Sequence, residues 1–307
     1  MLATVQRLTV EPAAYLAPPL YMKAPGTCGE LMQGVIDEQD FLVNCPINLF
    51  SYATVQTITN AGLYIQNSHR YTKIRDTITL AAHEFEFDLS HQLVIHSDIP
   101  RGKGMASSSA DVTVAFETVL RCCDVALTDE VFARIVTEIE PSDCVHFPGI
   151  VHVNHLTGQL FESMPAPRGM SILVVDCGGQ IDTIEFDRLR AHKLYRNHQP
   201  YLREALRLLK IGLHNGDLAA VAEAATRSAQ LNQQIHYKPQ FEELLAVSRT
   251  IGALGVNCAH SGTVLGVLYR SDDELKERLI RDINQHFGAD VSIVGNFHLI
   301  SGGCYDY

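Results

Sequence analysis

No stretch of this sequence approaches the ~18 continuous apolar residues of a membrane-spanning helix, so no membrane partner is predicted. Positive charge is also scarce, because 24 lysines and arginines face 35 aspartates and glutamates, for a net charge of −11. This acidic balance argues against a nucleic-acid partner, while a local basic site stays open. The N-terminus has one early arginine and no long apolar run, unlike a signal peptide. We therefore predict a cytoplasmic protein.

The sequence also lacks any Cys-x-x-Cys pair, although it contains eight cysteines. An even count is compatible with disulfides, but scattered free thiols are the favoured interpretation for a cytoplasmic protein of 307 residues. Hydrophobic residues make up 46% of the chain, which indicates a packed protein rather than disorder. The length suits two domains of ordinary size.

The hydrophobic pattern predicts a mixture of helices and strands in both halves of the chain. We predict an N-terminal arm over residues 1–20, one domain over 21–165 and a second over 166–307. We predict a short strand at Tyr21–Ala24 that runs into a turn at Pro25-Gly26. A helix is predicted after Thr128 and should stop near Glu140. Further helices are predicted over 187–213, 217–233 and 239–252.

The most informative segment is the glycine- and serine-rich stretch from Pro100 to Ala110, between a predicted strand and an amphipathic helix. Small residues let a backbone wrap closely around an anion, and the start of a helix offers free N–H groups and a positive dipole end. The alternative is a glycine turn followed by a serine N-cap. The stretch has neither the Walker ending nor a dinucleotide fingerprint, so another kind of phosphate loop is predicted.

This segment resembles the second motif of the GHMP kinases, P-x-G-x-G-L-G-S-S-A. Pro100, Gly102, Gly104, Ser107 and Ser108 match it, whereas Met105, Ala106 and Ser109 stand for Leu, Gly and Ala. The resemblance implies an α+β fold of two domains, the first like domain 2 of ribosomal protein S5 and the second ferredoxin-like, with the active site between them. It also implies a site for ATP on Pro100, Gly102, Lys103, Gly104, Met105, Ala106, Ser107, Ser108 and Ser109.

The family's first motif, which begins A-P-G-[KR] and ends G-E, is matched by Ala24-Pro25-Gly26 and Gly29-Glu30. Thr27 replaces the usual cation, although phosphoryl transfer needs positive charge near the phosphates. Lys103 is the candidate catalytic substitute, with a solvated loop lysine as the alternative. A weaker third motif lies at 257–263. By resemblance, the residues that close around substrate and γ-phosphate are Thr27, Cys28, Gly29, Glu30, His260, Ser261 and Gly262.

Two acidic residues follow the second helix of the first domain, at Glu140 and Asp143. The resemblance implies that Ser108 and Glu140 hold Mg²⁺ and that Asp143, as the catalytic carboxylate, faces the substrate hydroxyl. Hard oxygen ligands suit Mg²⁺, and a carboxylate can accept the hydroxyl proton. The alternative is an ordinary helix end with a turn aspartate, and Glu138 is a rival for the metal.

Other candidate residues carry weaker signals. His146, His152 and His155 lie close together, but their spacing fits no zinc motif, so no metal is predicted there. Cys28 is expected either to line the substrate pocket or to be an inert buried thiol.

Four strings narrow the resemblance to the L-threonine kinase branch of the family, the most specific being C-G-E-L-x-Q-G from Cys28 to Gly34. That resemblance implies ATP-dependent phosphorylation of L-threonine to L-threonine O-3-phosphate, for the aminopropanol linker of cobalamin. Two alternatives stay open. One is a kinase of another small hydroxyl compound, such as free L-serine or homoserine, and the other is a non-catalytic nucleotide- or metabolite-binding member of the fold.

Overall fold

The structure, a computed structural model, describes residues 18–178 and 188–307, so most of the predicted N-terminal arm lies outside the described residues. The strands within these ranges are β1 (Leu20–Ile36), β2 (Gln39–Thr57), β3 (Gly62–Ile65), β4 (Ser90–Ser97), β5 (Ile150–Val153), β6 (Leu160–Met164), β7 (Met170–Asp176), β8 (Gly255–Cys258), β9 (Val264–Arg270), β10 (Ser292–His298) and β11 (Tyr305–Asp306). The helices are α1 (Thr72–Glu84), α2 (Ser107–Cys122), α3 (Asp129–Ile139), α4 (Arg188–Asn197), α5 (Gln199–Asn215), α6 (Leu218–Asn232), α7 (Phe241–Ile251) and α8 (Asp273–Phe287). None of them has both the length and the apolar character needed to cross a membrane.

One mixed sheet runs through the molecule in the order β10-β7-β9-β8-β1-β2-β4-β3. Strands from the first half of the chain form one side of this order and strands from the second half form the other. The two sets meet where β1 pairs with β8, at Glu30 and Cys258. Residues in the middle of β1 therefore lie at the seam between the halves. The domain division at 165/166 stays a prediction.

Strand β1 corrects one expectation from the sequence. The short strand ending in a turn at Pro25-Gly26 is wrong, because β1 continues to Ile36 beside β2. The pairing register shifts three times between Pro25 and Met32. Such bulges bend a strand without ending it, and they absorb residues that regular pairing cannot accommodate. The first motif is therefore an irregular strand at the centre of the sheet.

The helices on either side of the sheet follow the sequence prediction in part. Helices α2 and α3 are confirmed, and the Thr128 side chain caps α3 by accepting a hydrogen bond from the Val131 N–H. The single helix expected over 187–213 is wrong, because α4 ends at Asn197 and α5 starts at Gln199. Pro200 lies in the first turn of α5, where a proline is tolerated because its missing N–H has no helical acceptor. All eight cysteines are free thiols, as predicted.

Candidate active site

The glycine- and serine-rich loop leads directly into the N-terminus of α2. The helix begins at Ser107, and its N-cap is Ala106, which adopts a left-handed conformation with φ 55°. No described side chain caps this end, so the predicted alternative of a serine N-cap does not hold. Ser107, Ser108 and Ser109 lie inside the first turn, where N–H groups have no helical acceptor. This end of α2 is therefore chemically suited to an anion.

The first and third motifs hold the loop in place from behind. The Thr27 N–H donates to the Met105 carbonyl at 3.0 Å, and the Gly29 N–H donates to the Gly104 carbonyl at 3.2 Å. From the other side, the Thr263 N–H donates to the Lys103 carbonyl at 3.1 Å. Two segments that are distant from the loop in sequence therefore fix it through backbone hydrogen bonds.

A cavity of about 860 Å³ opens in front of this loop. Of the predicted site residues, those that line it are Gly102, Gly104, Met105, Ala106, Ser107, Ser108, Ser109, Glu30, Glu140, Asp143, His260 and Ser261. Those that do not line it are Pro100, Lys103, Thr27, Cys28, Gly29 and Gly262. The predicted residues therefore form two groups. One group lines the cavity, and the other, the supporting layer, lies behind it.

Cys28 belongs to the supporting layer. Its thiol is 1% exposed and donates to the Asn257 side-chain carbonyl at a sulfur–oxygen distance of 3.8 Å. Burial raises the pKa of this thiol well above its ordinary value, which keeps it protonated. Of the two interpretations given to Cys28, the geometry supports the inert buried thiol.

Ser108 and Glu140 meet at the N-terminus of α2. The Ser108 hydroxyl donates to Glu140 Oε1 at 2.6 Å, and the Lys73 ammonium forms an ion pair with Glu140 Oε2. The rival carboxylate, Glu138, is more than half exposed and lies 3.6 Å from the guanidinium of Arg134 instead. Pro141 disfavours helical geometry at Glu140, so α3 ends at Ile139 and the Glu140 backbone is extended. The geometry favours Glu140 over Glu138 as the carboxylate beside Ser108.

Asp143 lies beside the next serine of the same turn. The Ser109 hydroxyl donates to Asp143 Oδ2 at 2.8 Å and accepts from the Asp143 N–H at 3.2 Å. These two bonds fix the carboxylate without neutralising it. Burial raises the pKa of Asp143, and the bond from Ser109 opposes that rise. A carboxyl with a raised pKa is a better proton acceptor in its ionised form.

Glu30 faces the same space from the seam of the sheet. Its Oε2 accepts the His260 N–H at 2.6 Å, and the His260 ring contacts the Gln33 side chain. Burial and the neighbouring charge of Asp143 raise the pKa of Glu30 well above its usual range. Like charges that share a buried place disfavour the ionisation of one of the two carboxyls.

Lys103 forms an ion pair behind the cavity wall. Its ammonium lies 2.8 Å from Asp176 Oδ2, and the Thr263 hydroxyl donates to the same carboxylate. Although burial acts to raise the pKa of Asp176, these two hydrogen bonds hold it below its ordinary value. The side chain of Lys103 thus connects the loop to β7 rather than facing the cavity, and its catalytic role stays a prediction.

The end of the cavity beyond Glu30 has both polar and apolar walls. His192 Nε2 lies 2.9 Å from Asp40 Oδ1, at hydrogen-bond distance, and this contact joins α4 to β2. Tyr195 is 4% exposed, and its hydroxyl has no hydrogen-bond partner of normal geometry among the described residues. The apolar part of this wall is formed by Phe41, Leu42, Leu156 and Ala191.

Sequence reasoning missed Lys73 and this whole end of the cavity. A signal for the helix that carries Lys73 was present, because Ile74, Ile78 and Ala81 have helical spacing and belong to the buried face of α1. No comparable signal marked Asp40 and His192, which are 152 positions apart in the chain.

Comparisons with known proteins identify the family of this chain. The model of the GHMP kinases N terminal domain matches residues 72–147, and that of the GHMP kinases C terminal domain matches 202–289. Together they match more than half of the chain. The chain belongs to the GHMP kinase family. It is therefore a phosphotransferase with an alcohol acceptor, and GHMP kinases use ATP as the phosphate donor.

The individual relatives have low sequence identity to this chain. An L-threonine kinase from Citrobacter freundii is 26% identical over 80% of this chain and 85% of its own length. One from Salmonella typhimurium is 27% identical over 80% and 81%. A solved homoserine kinase from Cytophaga hutchinsonii superposes with a TM-score of 0.72 at 13% identity, over 96% of this chain and 100% of that one. These likenesses confirm the two-domain α+β fold of the family.

Proposed function

We propose that this GHMP kinase transfers the γ-phosphoryl group of ATP to the side-chain hydroxyl of L-threonine, giving L-threonine O-3-phosphate and ADP. The hydroxyl oxygen forms a bond to the γ-phosphorus while the bond from that phosphorus to the β–γ bridging oxygen breaks. The hydroxyl proton passes to Asp143, and ADP leaves. By resemblance to the L-threonine kinase branch, the product would supply the aminopropanol linker of cobalamin.

The observation that carries the choice of acceptor is the likeness to two L-threonine kinases over four fifths of the chain. The acceptor end of the cavity agrees with a small zwitterion. Asp40 provides a carboxylate and Glu30 a carboxyl oxygen for an ammonium group, and His192 and His260 provide polar groups for a carboxylate. The apolar wall offers a place for the threonine methyl group. The family resemblance had assigned Glu30 and His260 to the substrate, whereas Asp40 and His192 come from the geometry.

The residues at the start of α2 fit a magnesium ion. Ser108 Oγ and Glu140 Oε1 are hard oxygen donors 2.6 Å apart at an end of a helix that suits phosphate. The described residues contain no cluster of three or more histidine, cysteine, aspartate or glutamate side chains that could surround a metal ion. A site with few protein ligands is what Mg²⁺ uses when phosphates and water complete its shell. When bound, the ion would neutralise phosphate charge, while Asp143 orients the acceptor and takes its proton.

The acceptor is tested by following ADP release with a panel of hydroxy amino acids and by identifying the products with phosphorus NMR. We expect L-threonine to be the best acceptor, with L-serine at least about 10-fold lower in kcat/KM, because one methyl group in an apolar pocket contributes about that much discrimination. If the enzyme turns over homoserine in preference to L-threonine, homoserine is the acceptor. ATP binding without any acceptor-dependent ADP release would instead favour the non-catalytic alternative.

Glu140→Gln is expected to raise the Mg²⁺ concentration for half-maximal activity by at least about 10-fold. The amide keeps the shape of the side chain but removes the charge that a divalent cation requires. Magnesium titrations of ADP release check this. Glu138→Gln is the matched control, because its carboxylate lies two positions away and contacts Arg134 rather than the cavity. An equal shift in both variants would contradict the assignment of the metal to Glu140.

A further inference from the structure

The cavity has a deficit of positive charge for a kinase. Its walls include four acidic side chains, which are Glu30, Asp40, Glu140 and Asp143. The triphosphate of ATP adds further negative charge, and phosphoryl transfer requires cations near the moving group. Thr27 is uncharged and only 1% exposed, so it supplies no cation. Lys103 is held by Asp176 outside the cavity wall.

Lys73 is the sole lysine or arginine among the described residues that line the cavity. It is the second residue of α1, and its ammonium pairs with the same carboxylate that accepts the Ser108 hydroxyl. Lys73 also lines a neighbouring cavity of about 230 Å³, together with Arg70, Arg101 and Ser107. It therefore stands where the two cavities meet, at the N-terminus of α2.

The backbone of Lys73 is fixed while its side chain is not enclosed. Ile74 and Ile78 anchor α1 in the core, and the Thr77 hydroxyl donates to the Lys73 carbonyl at 2.8 Å. The Lys73 side chain is 53% exposed. Such a side chain can reorient from Glu140 to a neighbouring anion without a change in the fold, since exposed side chains change rotamer rapidly.

We infer that Lys73 is the catalytic cation of this enzyme and takes the place of the lysine or arginine that Thr27 replaces in the first motif. This inference rests on the proposed phosphoryl transfer. The Lys73 ammonium donates hydrogen bonds to oxygens of the β- and γ-phosphates while the new oxygen–phosphorus bond forms and the old one breaks. Lys73 forms no covalent bond and transfers no proton.

The test compares Lys73→Met and Lys73→Arg with the wild-type enzyme. We expect Lys73→Met to lower kcat by about 10²–10³-fold, as the loss of one preorganised donor to a transition-state oxyanion does. Calorimetry should also show weaker binding of ATP but unchanged binding of AMP, which lacks the β- and γ-phosphates. Lys73→Arg should recover part of both losses. Arg75→Met is the matched control, because it removes an exposed cation two residues along α1 that lines neither cavity.

Three results would overturn the inference. One is wild-type kcat and ATP affinity in Lys73→Met, and another is an equal loss of ATP and AMP binding, which indicates a structural role. The third is an ATP-specific loss in Lys103→Met but not in Lys73→Met. Because the nucleotide measurements need no acceptor, they test Lys73 even where L-threonine proves not to be the substrate. In that case the wild-type enzyme would release no ADP with L-threonine and would still bind ATP through Lys73.

Discussion

Asp143→Asn is expected to lower turnover of L-threonine by about 10²–10⁴-fold, the usual contribution of a positioned proton acceptor. An asparagine has the same shape and can still accept the Ser109 hydroxyl, while the Asp143 N–H bond to Ser109 is unaffected. The variant should therefore fold and keep the start of α2 intact. What it loses is the capacity to accept the acceptor's proton and to orient its hydroxyl.

The measurement combines ADP release with calorimetric ATP binding. We expect ATP affinity to survive in Asp143→Asn, because the loop and Ser108 are unchanged. Asp76→Asn serves as the control, since it removes one exposed carboxylate from α1 and lines neither cavity. Wild-type turnover in Asp143→Asn would remove Asp143 from its role. Loss of ATP binding together with turnover would assign it to the nucleotide instead.

The phosphate-loop end of the site was largely predictable from the sequence, because its determinants are local. Glycines, serines and the amphipathic pattern of α2 lie within one continuous stretch, and Pro141 marks the end of α3 beside Glu140. A local pattern needs no knowledge of which strands are neighbours. The same reasoning is insufficient for the bond between Ser109 and Asp143, which are 34 positions apart and which the sequence analysis did not connect.

The parts that escaped prediction depend on tertiary packing. Glu140 and Lys73 are 67 positions apart and meet because α1 and α3 pack beside each other. In β1, propensity predicted a turn at Pro25-Gly26, but pairing with β2 continues through the bulges. Lys103 was assigned to the phosphates because it lies within the loop, whereas the sheet brings Asp176 to its ammonium. Sequence position alone could not decide which way that side chain points.

Gly104→Ala and Gly262→Ala are expected to lower turnover by about 100-fold or more, as misplacement of a catalytic group by about 1 Å does. Gly104 has φ +79°, and a Cβ there would lie 2.8 Å from the Ser261 carbonyl oxygen. A Cβ at Gly262 would lie 2.5 Å from the Gly104 Cα. The phosphate loop and the third motif touch at this point. Gly104→Ala adds a methyl group on the side of the loop, Gly262→Ala adds one on the side of the third motif, and each pushes the two segments apart. ATP affinity should fall with turnover, because the N–H groups that face the phosphates are displaced.

The control for these variants is Gly216→Ala. Gly216 has φ +67° at the end of α5, but a Cβ there would meet no atom within 4 Å. This substitution should cost about 1–2 kcal/mol in stability from the left-handed backbone alone and leave ATP affinity unchanged. Thermal unfolding and calorimetry on the three variants separate backbone strain from collision. Wild-type ATP affinity in Gly104→Ala and Gly262→Ala would show that the phosphate loop does not depend on the third motif for its shape.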